Sequence, residues 1–423
     1  MKKLLVITRA PWLLDNGIGS TLWDFFSEFS DFEIYSLCLR EAPRVCSLTK
    51  KNFYISESQL INGIIKHEKV GKTTDKYDYI EQRLNNEEKI YDFSKKVNLR
   101  LFNFLREMLW SSNLWKNNNL DGFLNEIKPD VIFFPDFPCI YAHKVLDYVF
   151  LKTNAKIAIF HADDCYTLRQ FSLSPLFWIY RFWQRKWVRK SVQKATYHYV
   201  ISDVQKADYD SCFNVNNKVL TKFSDFSNKP SLKEKYEKPL QLVYTGNIAL
   251  NRWKSLKVIV DALRRVNENE VLAQLKIYTA NSITKRIRRA LNVDGSSYLM
   301  GKIPASDIGR VQSNADILVH VEAKDIKNRL LVRQSFSTKI VDYLKRGRTI
   351  LAVGPQEVAS IKHLKDNECA LVATDEQDVY REIVDIIKNQ YKLNEYAIKA
   401  FECGFRYHNK EYMLKMLHDD LCN

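Results

Sequence analysis

Short apolar runs alternate with longer amphipathic segments from one end of this chain to the other, and that alternation restricts its fold most. Strand-length apolar runs separated by helix-length segments are the signature of α/β folds with parallel sheets. In the first half the strand candidates are "KLLVIT", "FEIYSLCL", "DVIFFP", "KIAIFH", "YHYVIS" and "KVLTKF". Roughly residues 40–128, between the second and third of these, read as polar loop and helix. Their helical part, "IYDFSKKVNLRLFNFLREMLW", has apolar positions at 3.6-residue spacing.

A polar, Lys-rich stretch, "DFSNKPSLKEKYEKP", breaks the pattern at 225–239. The alternation then restarts with "LQLVYTG", a helix from about Lys254, "LKIYTA", "SYLMG", a helix after Pro304, "DILVHV", "TILAVG" and "ALVA". The tail from about Gln377 reads as helix. With 423 residues the chain is too long for one ordinary core. The expected division is a first α/β domain over 1–228, a linker over 229–239, a second α/β domain over 240–400 and a final segment over 401–423.

A hydrophobic content of 46% with 13% aromatics excludes a disordered chain. The net charge of +15 favours anionic partners: nucleic acid, an acidic membrane surface or phosphorylated substrates. Eight scattered cysteines without CxxC or Cys/His zinc spacing read as reduced thiols of a cytosolic protein, with no metal site. The opening "MKKLLVITRAPW" imitates a signal peptide, but its apolar run stops at Thr8, Arg9 and Pro11 and reads as a first strand. No segment approaches the about 20 apolar residues that span a bilayer.

In doubly wound folds ligands bind at the carboxyl ends of strands, so the turns there carry the chemistry. After the first strand, Gly17, Ile18 and Gly19 form a glycine turn before a helix, although Leu22 breaks the full GxGxxG pattern. His161, followed by Asp163 and Asp164, ends a strand where it can meet a bound hydroxyl. In "YTGNIALNRWKS", Gly246 allows a tight turn, and Arg252 and Lys254 open a helix. Cations are unwelcome at a helix N-terminus unless a doubly charged anion lies between them and the amides. In "RQSFSTKIVDYLKRG", Ser335 or Ser337 can cap a helix that carries Lys339 and Asp342.

Two patterns are decoys. "VGKTT" at 70–74 lacks the first glycine of a phosphate-binding loop. "DYD" at 208–210 imitates a metal-binding motif but falls on a helix, where a solvated face is expected. A third feature is larger. No acidic residue occurs between Asp164 and Asp203, while "LFWIYRFWQRKWVRKSVQK" interleaves aromatic and basic residues. Trp178, Arg181, Arg185, Lys186, Arg189 and Lys190 are the expected contacts to an anionic membrane surface. No nucleic-acid recognition motif accompanies them.

"YTGN…R-x-K", "SNADILVHVE" and "SFSTKIVDYLKRGRTILAVGP" together resemble the nucleotide-sugar half of GT-B fold glycosyltransferases, specifically the retaining family four, or group 1. The resemblance implies two Rossmann-like domains facing across a cleft, with the C-terminal helix returning to the first domain. It implies a nucleotide-diphosphate-sugar donor, no further cofactor and no metal. Arg252 and Lys254 would grip the leaving diphosphate, and His161 would contact the transferred sugar. The donor pocket would comprise Gly17, Ile18, Gly19, Gly246, Asn247, Glu322, Gln334, Ser335, Phe336, Ser337, Thr338 and Asp342.

One position departs from the family. Its E-x7-E motif reads Q-x7-D here, with Gln334 in place of the first acid and Asp342 in place of the second. An amide can bind sugar hydroxyls but offers no negative charge, and Glu322 is the carboxylate expected to replace it. The function implied is transfer of a sugar, with retention, to a glycan or lipid-linked acceptor of bacterial surface-polysaccharide synthesis. The protein would be cytoplasmic, peripheral on the inner face of the membrane. The alternatives are a nucleotide-sugar epimerase of the same fold and an inactive sugar-nucleotide or glycan-binding subunit.

Overall fold

The structure is a computed structural model that describes residues 1–9, 12, 17–40, 46–74 and 99–423. Eight strands form the first sheet: β1 (Lys2–Thr8), β2 (Phe32–Cys38), β3 (Thr49–Tyr54), β4 (Lys72–Thr74), β5 (Val131–Pro135), β6 (Lys156–His161), β7 (Tyr197–Val200) and β8 (Lys218–Val219). Their spatial order is β4-β3-β2-β1-β5-β6-β7-β8. All pairs are parallel except β3 with β4. The second sheet contains β9 (Leu240–Thr245), β10 (Ala273–Tyr278), β11 (Ser297–Gly301), β12 (Ile317–Val321), β13 (Thr349–Val353) and β14 (Leu371–Ala373), in the parallel order β11-β10-β9-β12-β13-β14.

Every residue of β5, β12 and β13 is buried, as strands covered by helices on both faces must be. The strand order reverses between β1 and β5 in one sheet and between β9 and β12 in the other. Those are the switch points at which a doubly wound sheet opens a crevice.

The strand candidates in both halves are strands. The sequence reading missed β3 and β4, because "TKKNFY" and "KTT" are too polar to mark strands; β3 is held by buried Phe53 and Tyr54. β4 contains the end of the "VGKTT" decoy. Of the expected helix in that region, Leu99–Trp110 is helical, and residues 90–98 lie outside the described ones.

No helix or strand occupies 225–239, but that segment is anchored by buried Phe226 and Tyr236. The helix Tyr391–Tyr407 belongs to the second domain, where Ala400, Phe401 and Cys403 join the core of Val243, Leu318 and Ile350. The chain therefore returns later than position 401, at an elbow on His408 and Asn409. The helix Lys410–Cys422 then lays Met413, Leu414, Leu417 and Leu421 against Leu4, Val6 and Phe133. Tyr199 donates to its Asp420 at 2.8 Å.

Gly404 lets the helix Tyr391–Tyr407 lie flush on the linker, since a Cβ there would enter the Phe226 ring and come within 3.1 Å of Leu344 Cβ. Gly404→Ala should therefore lower stability by roughly 1–3 kcal/mol through overpacking. A thermal melt at an unchanged midpoint would show that Phe226 does not seat this helix.

Candidate functional site

The carboxyl ends of β9 and β12 bring together three charged groups distant in sequence. Arg252 opens the helix Arg252–Val266, and its Nε and a terminal nitrogen each lie 3.0 Å from Glu322 Oε2. Glu322, the residue after β12, is buried. Lys339, in the first turn of the helix Thr338–Lys345, reaches under Gly246, where any Cβ would meet its Nζ. It stands 5.8 Å from the centre of the Tyr244 ring.

Two cations share one carboxylate here, away from bulk water. Burial raises the Glu322 carboxyl, and Arg252 and Lys339 only partly draw it back. Burial and then the charge of Arg252 lower the Lys339 ammonium to about 8. His320, 3.6 Å from Glu322, is lowered to about 3 by burial, Lys339 and Arg252, and stays neutral. A cluster with this surplus of positive charge at a switch point is built to receive an anion.

Lys339 is the residue that sequence reasoning left unassigned. Its signal was the one already used for Arg252 and Lys254, a cation in the first turn of a helix. Lys254 itself is exposed, its ammonium 5.9 Å from the Trp253 ring centre, and the structure does not bring it to Glu322. Asn247 is exposed and shapes the turn: its Oδ1 accepts from Ala249 N–H at 2.7 Å, and its carbonyl accepts from Tyr244 at 2.7 Å.

The first domain supplies the facing wall. His161 ends β6, buried, with Nδ1 2.6 Å from Asp136 Oδ2. Asp136 Oδ1 lies 3.0 Å from His143 Nε2, whose Nδ1 is 2.9 Å from Ser191 Oγ. Burial acts to raise the Asp136 carboxyl, but the two imidazoles, His161 first, outweigh it and hold the acid below its usual range. The carboxylate so fixes the orientation of the His161 ring. Of the two acids that follow, Asp164 is structural, accepting from Tyr166 N–H, Thr167 N–H and Arg181 at 2.7–3.0 Å. Asp163 faces the second domain, and Ser335 Oγ donates to it at 3.1 Å.

Gly17, Ile18 and Gly19 are not the turn before a helix but the first turn of the helix Gly17–Phe26 itself. Gly17 is exposed with open space beside it, and Ile18 packs against the core.

The segment after the helix Ile326–Leu331 is sewn to the first domain. Arg333 pairs with Asp208, Gln334 Nε2 donates to Asp208 Oδ2 at 2.5 Å, and Ser202 Oγ donates to the Gln334 carbonyl at 2.7 Å. Arg169 adds a second cationic contact to Asp208 at 3.2 Å. Asp208 does lie on a helix, Asp203–Phe213, but it is not on a solvated face as expected; it is the acid across which the domains meet. The partner, Arg333, is 125 residues away in sequence, so no local pattern marks it.

Gln334 is thereby explained. A glutamate would set a second carboxylate against Asp208, whereas the amide donates to it. Phe336 is buried between the rings of His363 and His408, at 5.2 Å from each. Ser337 takes the N-cap position without a side-chain cap bond, Thr338 is exposed, and Asp342 pairs with Lys222 of the first domain at 2.9 Å. A cavity of about 1100 Å³ opens beside this seam, lined in part by Lys206, Arg333, Phe336 and His363; Arg252, Glu322 and Lys339 do not line it.

The basic helix Pro175–Lys194 corrects the expected membrane contacts. Arg181 is buried and bonded to Asp164; Arg185 caps the Tyr166 ring at 4.1 Å; Arg189 donates to the Tyr166 hydroxyl at 3.0 Å. Arg181 and Arg185 hold the loop after β6, while Arg189 bonds the Tyr166 hydroxyl and stays exposed. Asp164, the acid that Arg181 pairs with, lies outside the helix, which is why the helix's own sequence hid the pairing. Lys190 pairs with Asp147 at 2.8 Å, Trp178 donates to the Ser172 carbonyl at 2.9 Å, and Lys186 remains exposed. The exposed apolar residues are others: Leu173 at 89%, Ile179 and Phe182 at 57% each, and Leu176. The neighbouring helix Leu99–Trp110, joined through a Phe104–Tyr180 ring contact at 5.6 Å, adds exposed Leu105 and Met108. Among the described residues no helix is long and apolar enough to cross a membrane.

The Asp208 seam yields a reciprocal test. Gln334→Glu should lower the melting temperature by placing two carboxylates together, and adding Asp208→Asn should restore much of the loss, because an asparagine amide can donate to the new acid. Additive losses in the double variant would mean that the two side chains do not meet.

No family model matches the chain, and no curated protein matches it either. Solved structures do. The Anabaena HepE structure in complex with UDP aligns over 100% of both chains at 11% identity, with a TM-score of 0.65. Sucrose-phosphate synthase from Thermosynechococcus elongatus aligns over 99% of this chain and 98% of its own, at 11% identity and a TM-score of 0.61. An S. aureus TarM variant in complex with fondaparinux, alpha-GlcNAc-glycerol and UDP aligns over 100% of both chains, at 12% identity and 0.59. The two parallel sheets, the cleft between them and the returning C-terminal helix are those of the GT-B fold.

Proposed function

We propose that this protein is a glycosyltransferase that moves a sugar from a nucleotide-diphosphate donor, with retention, to a glycan or lipid-linked acceptor. The observation that carries the reading is the gathering of Arg252 and Lys339 about buried Glu322 at the β9–β12 switch point. Similar structures hold UDP, UDP with glucose, and UDP-2-fluoro glucose, which supports a donor of that class.

The chemistry follows from charge. Breaking the glycosidic bond leaves its electron pair on the diphosphate oxygen, so the departing diphosphate gains one negative charge, and groups fixed where that charge develops favour the transition state over the ground state. Arg252 shares its guanidinium between Glu322 and the leaving group, while Lys339 donates from below Gly246. Across the cleft, His161 is held by Asp136 for contact with the sugar, and Asp163 offers an acceptor for a hydroxyl. Closure of the domains along the Asp208 seam excludes water from the reacting carbon. We place the protein on the inner face of the membrane in surface-polysaccharide synthesis, docked through Leu176, Ile179 and Phe182 with Lys186 beside them.

Nucleotide sugars with uridine, guanosine, adenosine and deoxythymidine bases should be screened by thermal shift. At least one should stabilise the protein, and none doing so would end the donor-site reading. Because an anion binds the protonated lysine, affinity for that donor should fall as pH rises through about 8. Lys339→Arg should bind equally at higher pH, and a flat profile in the unchanged protein would remove Lys339 from the site. Turnover without acceptor, with an altered sugar, would indicate epimerisation instead.

The lipid contact has a separate check. Ile179→Asp with Phe182→Asp should release the protein from vesicles rich in anionic phospholipid without changing its melting temperature. Undiminished co-sedimentation would exclude this face.

A further inference from the structure

Three side chains that the proposed transfer does not use meet at the amino-terminal edge of the first sheet: Asp31, His418 and Cys422. His418 and Cys422 stand one turn apart on the helix Lys410–Cys422, so they share a face. Asp31 directly precedes β2, in the turn that Phe32 N–H closes on the Phe29 carbonyl at 3.3 Å. Asp31 Oδ2 lies 2.9 Å from His418 Nε2. Cys422 Sγ lies 3.6 Å from that nitrogen and 3.9 Å from the same oxygen. Asp31 is 387 residues from His418, which is why cysteine spacing gave no sign of a metal site.

The size of this triangle is that of one face of a zinc tetrahedron. Zinc binds sulfur at about 2.3 Å and nitrogen and oxygen at about 2.0 Å. Those bonds set its ligands about 3.5 Å apart where sulfur is one of them and about 3.3 Å apart otherwise. The edges of 3.6, 3.9 and 2.9 Å each fall within about 0.4 Å of these values. A shift of that size lies within the freedom of the exposed Asp31 side chain. The other two ligands are already held. Buried Phe29 and Phe32 meet the His418 ring nearly at right angles, with centroids at 5.1 and 5.8 Å. Lys2 donates to the Cys422 carbonyl, and Lys156 donates to the Asn423 carbonyl at 2.6 Å, which pins the last turn.

We propose that Asp31, His418 and Cys422 form a zinc site, with water in the fourth position. Thiolate, imidazole and carboxylate together suit zinc, whereas magnesium and calcium take oxygen ligands. Without a metal His418 Nε2 donates to Asp31, because a carboxylate can only accept. When zinc takes the place of that hydrogen, the ring proton passes to Nδ1, where the charge of Asp419, 4.0 Å away, favours it. The Cys422 thiol gives its proton to solvent. The ion joins the turn before β2 to the helix by which the chain returns to the first domain. Strands β2, β1, β5 and β6 run parallel, so this edge is the opposite one from the carboxyl edge that carries His161. The ion therefore fastens the returning helix and takes no part in the transfer.

The experiment uses the full chain, reduced, stripped of metal with a chelator and titrated with cobalt, zinc or magnesium. Cobalt should give the near-ultraviolet charge-transfer band of a thiolate ligand and the strong visible bands of a tetrahedral site, and zinc should erase both. Zinc at about 100-fold over its dissociation constant should raise the melting temperature by roughly 3–6 °C, and magnesium should not. Cys422→Ser should melt like the metal-free protein and lose both the band and the zinc shift. Asp31→Asn should weaken zinc binding at least about tenfold. The remaining cysteines serve as the control. A charge-transfer band or a zinc shift that survives in Cys422→Ser arises elsewhere and overturns the proposal, as does the lack of any band in the unchanged protein.

Discussion

One carboxylate holds the working arrangement of this molecule together. Asp208, on a helix of the first domain, receives Arg333 and the Gln334 amide from the second and Arg169 from its own. Charge-assisted bonds of this kind are strong where water is thin, and they set the distance between facing walls. The loop they fix also delivers Ser335 to Asp163 and leads into the helix that carries Lys339. The position of the helix that carries Lys339 thus depends on a contact that lies outside the cluster.

The cluster itself is an exercise in incomplete neutralisation. Glu322 cannot balance Arg252 and Lys339 together, and burial makes each unbalanced charge costly. A protein keeps such an arrangement where a ligand completes it. On the other wall Asp136 lies within 3.0 Å of two imidazoles, and its task is to hold His161 still.

Much of the site was legible from local pattern because its chemistry is local. Gly246 and Glu322 directly follow strands and Arg252 opens the helix after one of them, and apolar strands announce their own ends. Lys339 was visible by the same logic but was left without a role beside the cap residues. Lys254 and Asp342 carry suitable charge, yet one is exposed and the other is paired with Lys222, and neither fate is written in neighbouring residues. The arginines of the basic helix are the sharpest case. Their spacing suggested a surface for lipid, while Asp164 takes Arg181 inward and the Tyr166 ring, brought in by the loop after β6, takes up Arg185 and leaves Arg189 exposed.

The sequence alone determined the two α/β layer sets, their parallel sheets and the strand ends at which a ligand can bind, because hydrophobic periodicity is a property of consecutive residues. The tertiary structure decided which charges remain unpaired. That depends on partners separated by tens to hundreds of residues, as Gln334 is from Asp208 and Lys222 from Asp342. An ion pair forms or fails through distance and dielectric, and both are set only when the chain has closed around it.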